Sequence, residues 1–207
     1  GGDRTFSMPL EVDGGYYAEV TGIVAGDFDG DGDVDIAVRK APFLSIFLND
    51  GEGNLAIERA DLSVRSPHDK GLVAADLDAN GLVDIVATGS HSFGIFMASP
   101  SGFITPDSRP FLLGPLYLYA GDLTGDHVID LVVASVFGIH VFWGQEDGSF
   151  AVPTRFETDY YPAGLCGADF TGDGFVDIAV STENQGTVSV LLNDGMGSLL
   201  PMISYEV

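Results

Sequence analysis

Residues 23–38 read IVAGDFDGDGDVDIAV, a short apolar run, nine residues crowded with aspartate and glycine, and a second apolar run. The arrangement returns three times, as LVAADLDANGLVDIVA at 72–87, LYAGDLTGDHVIDLVV at 118–133 and LCGADFTGDGFVDIAV at 165–180. The first aspartates of the four copies, Asp27, Asp76, Asp122 and Asp169, stand 49, 46 and 47 residues apart. That period fits one four-stranded propeller blade and is too long for a helical-hairpin repeat. The second half of each unit repeats as well. LSIFLNDGEGNLAI (44–57), FGIFMASPSGFI (93–104), IHVFWGQEDGSFAV (139–152) and VSVLLNDGMGSLL (188–200) are apolar runs broken by a Gly-containing turn, the signature of a hairpin.

Each unit therefore holds four strands, and the fold class is all-β: four blades of four antiparallel strands, over residues 20–62, 70–112, 115–157 and 163–207. Strand 1 ends at the aspartate loop, strand 2 is the VDIAV-like run, and strands 3 and 4 flank the second glycine turn. Strands 1 and 2 are nearly continuous in apolar residues, as expected for strands covered on both faces by stacked blades. No window has helical periodicity with caps. Residues 1–13 resemble a glycine turn and strand 4, an extra outer strand. That makes one strand 4 too many for four blades, so the units are expected to belong to a larger ring of seven or eight.

Composition narrows function. The 207 residues include 28 glycines, which suit a turn-dense β protein, and 31 Asp and Glu against 8 Lys and Arg, a formal net charge of −23. Such a surface repels nucleic acid and anionic membranes and attracts cations. No apolar run reaches the length of a spanning helix. Cys166 has no partner for an internal disulfide and aligns with Val24, Val73 and Tyr119, which reads as a buried apolar filler.

The nine-residue loop carries oxygen-bearing side chains at positions 1, 3, 5 and 9 in every copy. A calcium ion takes six to eight oxygens, and such a loop can supply side chains plus the backbone carbonyl of position 7. In the first loop the candidates are Asp27, Asp29, Asp31 and Asp35 with the carbonyl of Asp33. In the second they are Asp76, Asp78, Asn80 and Asp84 with Leu82. In the third they are Asp122, Thr124, Asp126 and Asp130 with Val128, and in the fourth Asp169, Thr171, Asp173 and Asp177 with Phe175. Glycine at position 6 permits the positive φ that wraps the ion. An EF-hand opens in the same way but requires glutamate at position 12, and Val38, Ala87, Val133 and Val180 stand there. Asp-Gly turns also form without metal, yet four or five carboxylates within nine residues repel one another unless a cation offsets them. Ligand charge ranks the first loop strongest. The third is weakest, because His127 replaces the position-6 glycine.

These units resemble FG-GAP, or VCBS-type, repeats, the blades of integrin α-subunit propellers and of many secreted propeller proteins. The resemblance implies up to four calcium ions between strands 1 and 2, an extracellular, cell-surface or periplasmic setting, and use in adhesion, recognition or scaffolding. Thr124, Thr171 and His127 depart from the pattern.

Nothing in the chain spells an enzyme. The histidines His68, His91, His127 and His140 form no metal-binding spacing and read as loop or surface residues. No nucleophile elbow, phosphate loop or dinucleotide fingerprint is present, and 14 of the 31 acidic residues lie in the four loops. The expectation is a noncatalytic module; the alternative is an accessory or catalytic propeller of a polysaccharide-degrading enzyme. In an antiparallel blade the 1–2 and 3–4 turns share one face. The opposite face then receives Tyr16, Tyr17, Phe43, His68, His91, Phe93, Phe137, Tyr160 and Tyr161, suited to an extracellular protein or glycan ligand.

Overall fold

The structure, a computed structural model, describes residues 20–40, 43–61, 71–89, 91–99, 102, 107–110, 114–183 and 185–207. It contains sixteen strands and, among the described residues, no helix. Blade 1 comprises β1 (Val20–Gly26), β2 (Asp35–Lys40), β3 (Phe43–Asn49) and β4 (Leu55–Asp61). Blade 2 comprises β5 (Leu72–Ala75), β6 (Asp84–Gly89), β7 (Ser92–Phe96) and β8 (Asp107–Pro110). Blade 3 comprises β9 (Pro115–Gly121), β10 (Asp130–Ser135), β11 (Gly138–Phe142) and β12 (Thr154–Phe156). Blade 4 comprises β13 (Pro162–Ala168), β14 (Asp177–Thr182), β15 (Thr187–Leu191) and β16 (Ile203–Glu206). Each blade is one antiparallel sheet whose strands lie side by side in chain order. The extra strand expected over residues 1–13, with Tyr16, Tyr17 and His68, lies outside the described residues.

The hydrophobic core lies between blades. Phe28, Ala37, Leu44 and Ile46 of blade 1 pack on Ile85, Ala87 and Phe96 of blade 2. Leu77, Val86, Phe93 and Ile95 of blade 2 pack on Leu118, Leu131, Val133 and Phe142 of blade 3. Val132, Ala134, Ile139 and Val141 of blade 3 pack on Ile178, Val180 and Leu191 of blade 4. Successive residues of one strand thus serve opposite neighbours, Ile85 one way and Val86 the other, because side chains alternate across a sheet. Strands β6 and β10, each between two blades, are buried at every residue, as their continuous apolar runs require. The first strands, β1, β5, β9 and β13, pack in succession, and the row does not close into a ring.

Three expectations change. Cys166 is exposed, because it lies on the face of β13 that points away from blade 3, where no sheet packs among the described residues. Phe93 is fully buried between blades 2 and 3, edge-on to Phe142 with ring centroids 5.1 Å apart. His140 is buried within β11, and burial, with a smaller contribution from Arg155, holds its imidazole below the usual histidine range.

One interaction recurs at every 1–2 hairpin. The position-9 aspartate opens strand 2 and is buried in all four blades. Its Oδ2 accepts the N–H of loop position 2: Phe28 to Asp35 and Leu77 to Asp84 at 2.8 Å, Leu123 to Asp130 at 2.9 Å, Phe170 to Asp177 at 3.0 Å. Its Oδ1 accepts an N–H from just beyond strand 3 or its last residue: Asn49 at 2.8 Å, Ala98 at 2.7 Å, Gly144 at 2.8 Å, Asn193 at 2.7 Å. The carboxylate ties the loop to the neighbouring hairpin.

The loop then turns twice through the left-handed region. Position 6 has φ of +90° at Gly32, +88° at Gly81, +70° at His127 and +93° at Gly174. Position 4 has φ of +83° at Gly30, +55° at Ala79, +78° at Gly125 and +79° at Gly172. Ala79 is thus a second departure of the same kind as His127, in the second loop.

Two outcomes follow in calcium-free urea unfolding. Asp130→Ala strands the buried Leu123 N–H and the part-buried Gly144 N–H and costs about 2–6 kcal/mol, since each unsatisfied group costs about 1–3; Asp126→Ala, at an exposed position, costs under about 0.5. Ala79→Gly removes left-handed strain of about 1–2 kcal/mol against a glycine entropy cost of about 0.5–1, for a net gain of about 0.5. Ala79→Val, with a branched Cβ at positive φ, loses stability instead.

Candidate metal centre

The 1–2 loops bring carboxylates together in two blades. In the first, one oxygen each from Asp27, Asp29 and Asp35 lies within 4.8 Å of the others; in the second, Asp76, Asp78 and Asp84 do the same. Two oxygens bound at about 2.4 Å to one calcium ion are at most about 4.8 Å apart, so both clusters have the dimensions of a calcium shell. They join positions 1, 3 and 9. Each oxygen of position 9 takes one N–H, which leaves acceptor capacity on both.

The position-1 carboxylates set the curve of the loop. Asp27 accepts from Gly30 N at 2.7 Å and Gly32 N at 3.0 Å, Asp122 from Gly125 N at 2.6 Å and His127 N at 2.8 Å, and Asp169 from Gly172 N at 2.6 Å and Gly174 N at 2.9 Å. In the second loop Asp76 accepts from Asn80 N at 3.1 Å and Gly81 N at 2.8 Å. Position 5 makes a small turn in each copy: Asp31 accepts from Asp33 N at 2.8 Å, Asn80 from Leu82 N at 2.7 Å, and Asp126 and Asp173 from Val128 N and Phe175 N at 2.9 Å. Asp31 therefore stands outside the three-carboxylate group of its own loop, although its charge remains beside it.

The third and fourth loops form no such group among the described residues. Thr124 and Thr171 at position 3 turn their hydroxyls to Asp122 and Asp169, at 3.4 Å in both cases, so the third carboxylate becomes an internal donor. Asp29 is pushed above its ordinary pKa by burial and by repulsion from Asp31, Asp35 and Asp27. Burial, then Asp78 and Asp76, push Asp84 up to about 6. Burial also raises Asp130. Asp169 moves below the usual range, held there first by Gly174 N–H, and Asp122 does so because N–H groups of His127 and Gly125 outweigh its burial. What separates the loops is the third carboxylate: the first two gather three into one group, and the other two have threonine at position 3.

Adjacent loops touch. Val83 N donates to the carbonyl of Asp27 at 3.1 Å. A Cβ built on Gly30 would lie 2.6 Å from Leu82 Cδ2, and one on Gly125 3.4 Å from Phe175 Cε1. Leu82 and Phe175, proposed from sequence for their carbonyls, thus also pack their side chains over the position-4 glycine of the preceding loop. Asn193 joins blades 3 and 4 too: its Nδ2 donates to Leu123 O at 2.7 Å and Val176 O at 3.0 Å. Sequence reading passed over Asn193 and its counterpart Asn49; the shared Asn-Asp-Gly of both 3–4 turns was the available signal.

On the opposite face, Phe137, Tyr160 and Tyr161 are exposed. Phe43 is likewise exposed at the start of β3, and His91 is exposed in the turn before β7.

Residues 122–180 match the family model described as FG-GAP-like repeat. No curated protein matches the chain in sequence. Among solved structures, the chain is similar to an Agrocybe aegerita lectin described by its specific recognition of non-reducing terminal N-acetylglucosamine, with a TM-score of 0.65, 22% identity, and 87% of this chain and 50% of that one covered. It is similar to the V. cholerae biofilm matrix protein Bap1 (TM-score 0.57, 20% identity, 88% of this chain and 28% of that one). It is also similar to BBS1N from a complex with ARL6DN (TM-score 0.65, 13% identity, 92% and 58%). The chain spans less than two thirds of each of these, and at such identities the likeness establishes the fold. Residues 122–180 thus match an FG-GAP-like repeat, and the aspartate loop and four-stranded blade of that segment recur in all four units, the pattern of FG-GAP/VCBS-type repeats.

Proposed function

We propose that the chain is a noncatalytic recognition or adhesion module of an extracellular, cell-surface or periplasmic protein, rigidified by calcium in its 1–2 loops. The observation that carries the calcium reading is the convergence of Asp27, Asp29 and Asp35, and of Asp76, Asp78 and Asp84, within 4.8 Å. A calcium ion bound there would neutralise carboxylates that now repel one another and would cross-link positions 1, 3 and 9 of one hairpin. The third and fourth loops would hold an ion more weakly, with Thr124 and Thr171 offering neutral oxygens.

Recognition is supported by the likeness to a sugar-recognising lectin and to a biofilm matrix protein, and by aromatic rings exposed on the face opposite the acidic loops. The net charge of −23 disfavours polyanionic partners. The noncatalytic reading rests on the commitment of the loop carboxylates to backbone N–H groups, which leaves them a structural task.

Calorimetric titration of the chelator-treated chain is expected to show two tighter calcium sites, with the first loop tightest, and weaker binding beyond them. At a hundredfold excess over Kd each tight site stabilises the fold by about 2.7 kcal/mol, so EDTA lowers the melting temperature. Asp29→Ala removes one tight site. No binding heat and no melting shift on chelation would refute the calcium reading. A glycan and extracellular-protein binding screen, with and without EDTA, tests recognition.

A further inference from the structure

We propose that Phe137, Tyr160 and Tyr161 form a platform that binds uncharged pyranose sugars at the junction of blades 3 and 4; this rests on the recognition-module reading and places its ligand. Phe137 occupies the turn between β10 and β11, and the tyrosines lie in the connection from β12 to β13. Antiparallel topology puts both segments on the face opposite the acidic loops. The Phe137 and Tyr160 rings meet edge to face, with centroids 6.5 Å apart at 85°. The three side chains are 48%, 58% and 55% exposed. Single exposed apolar residues are ordinary; two rings in contact, with a third exposed aromatic next in the chain, mark a contact surface at this open junction.

The platform is held rigid. The Arg155 guanidinium donates twice to the Phe137 carbonyl, at 3.2 and 2.8 Å. Asp159, one residue before Tyr160, accepts the hydroxyls of Thr187, Ser189 and Ser204 at 3.1, 3.0 and 2.9 Å, which pins the connection to blade 4. Tyr161 sits at φ +61°, where a bulky side chain is an outlier. Its carbonyl accepts Glu183 N–H at 3.2 Å. Strain of this kind persists where the surroundings enforce it, and it collects at binding sites.

The surrounding chemistry selects the ligand class. Ring faces stack on the C–H face of a pyranose. Exposed Glu157 and Glu183 beside them offer acceptors for sugar hydroxyls and repel carboxylated or sulfated glycans. Arg155, the cation at the junction, already spends two nitrogens on Phe137. Three rings fall well short of the roughly 800 Å² per partner of a stable protein interface.

The test uses the whole chain with calcium present, probed by calorimetry and saturation-transfer NMR. The probes are uncharged trisaccharides of glucose, galactose and N-acetylglucosamine, with a galacturonic acid trisaccharide as the charged comparison. The wild type should bind at least one uncharged probe in preference to the charged one. Phe137→Ala and Tyr160→Ala should each weaken it by about tenfold, the loss of one stacked ring. Phe43→Ala, which removes a similarly exposed ring on blade 1, should bind as the wild type does. Tyr161→Gly should weaken binding while leaving the melting temperature unchanged or higher; a tyrosine kept only for structure would lower it. Tyr160→Leu retains apolar bulk without a ring face and serves if the alanine variant unfolds. Sugar binding that survives both Phe137→Ala and Tyr160→Ala overturns the placement and leaves the module reading standing. Preference for the acidic probe overturns the ligand class. A wild type that shows the calcium-induced melting shift yet binds no sugar overturns the proposal alone.

Discussion

A buried aspartate with both oxygens bonded to backbone N–H groups is the constraint on which each blade depends. Asp35, Asp84, Asp130 and Asp177 open strand 2, and each reaches back to the second residue of its loop and across to the far end of strand 3. A carboxylate at zero to 2% exposure would be expensive without such partners. Two strong acceptors placed there fix three segments at once. Only with loop and hairpin so locked do positions 1 and 3 converge on the same point, so the metal geometry is a consequence of the fold before any ion binds. A cation bound in the first two loops would meet a shell already arranged by the fold, three carboxylate oxygens within 4.8 Å of one another in each.

Because the first loop leans on the second and the third on the fourth, the loops are not separate units. The Val83 N–H bond to Asp27 O and the contact of Leu82 with Gly30 connect the first loop to the second. Phe175 over Gly125, and Asn193 bonded to Leu123 O, connect the third to the fourth. Gly30 and Gly125 at position 4 therefore have two reasons to be glycine: a positive φ, and the side chain of the following blade lying over them. The interior is shared in the same way, since every core cluster draws its members from two neighbouring blades and no blade buries its apolar residues alone.

What was legible in the sequence was local. The repeat period, the four hairpins and the position-6 glycines are written in residues whose conformational demands act within a few positions, and His127 is visible as a departure because a glycine column surrounds it. Ala79 was not, since position 4 had been given no conformational role, yet its φ of +55° places it beside His127. Position 9 was read as a ligand only. Its structural partners are backbone N–H groups 14 or 16 residues onward, and a backbone amide leaves no mark in composition. Cys166, Phe93 and His140 were misplaced for a related reason: which face of a strand is covered depends on the neighbouring blade.

The same antiparallel topology that gathers acids on one face assigns the other face the 2–3 turns and the inter-blade connections. The two faces then carry different kinds of strain. At Ala79 and His127 the left-handed backbone is part of a repeated loop, and glycine at the equivalent positions of the other blades shows that the geometry, not the side chain, is required. At Tyr161 the strain lies in an inter-blade connection instead. The equivalent connection ahead of blade 3 has Gly114 at φ +61°, where the backbone needs no side chain at all. A tyrosine held in a conformation that glycine adopts freely implies that the ring itself is what that position supplies.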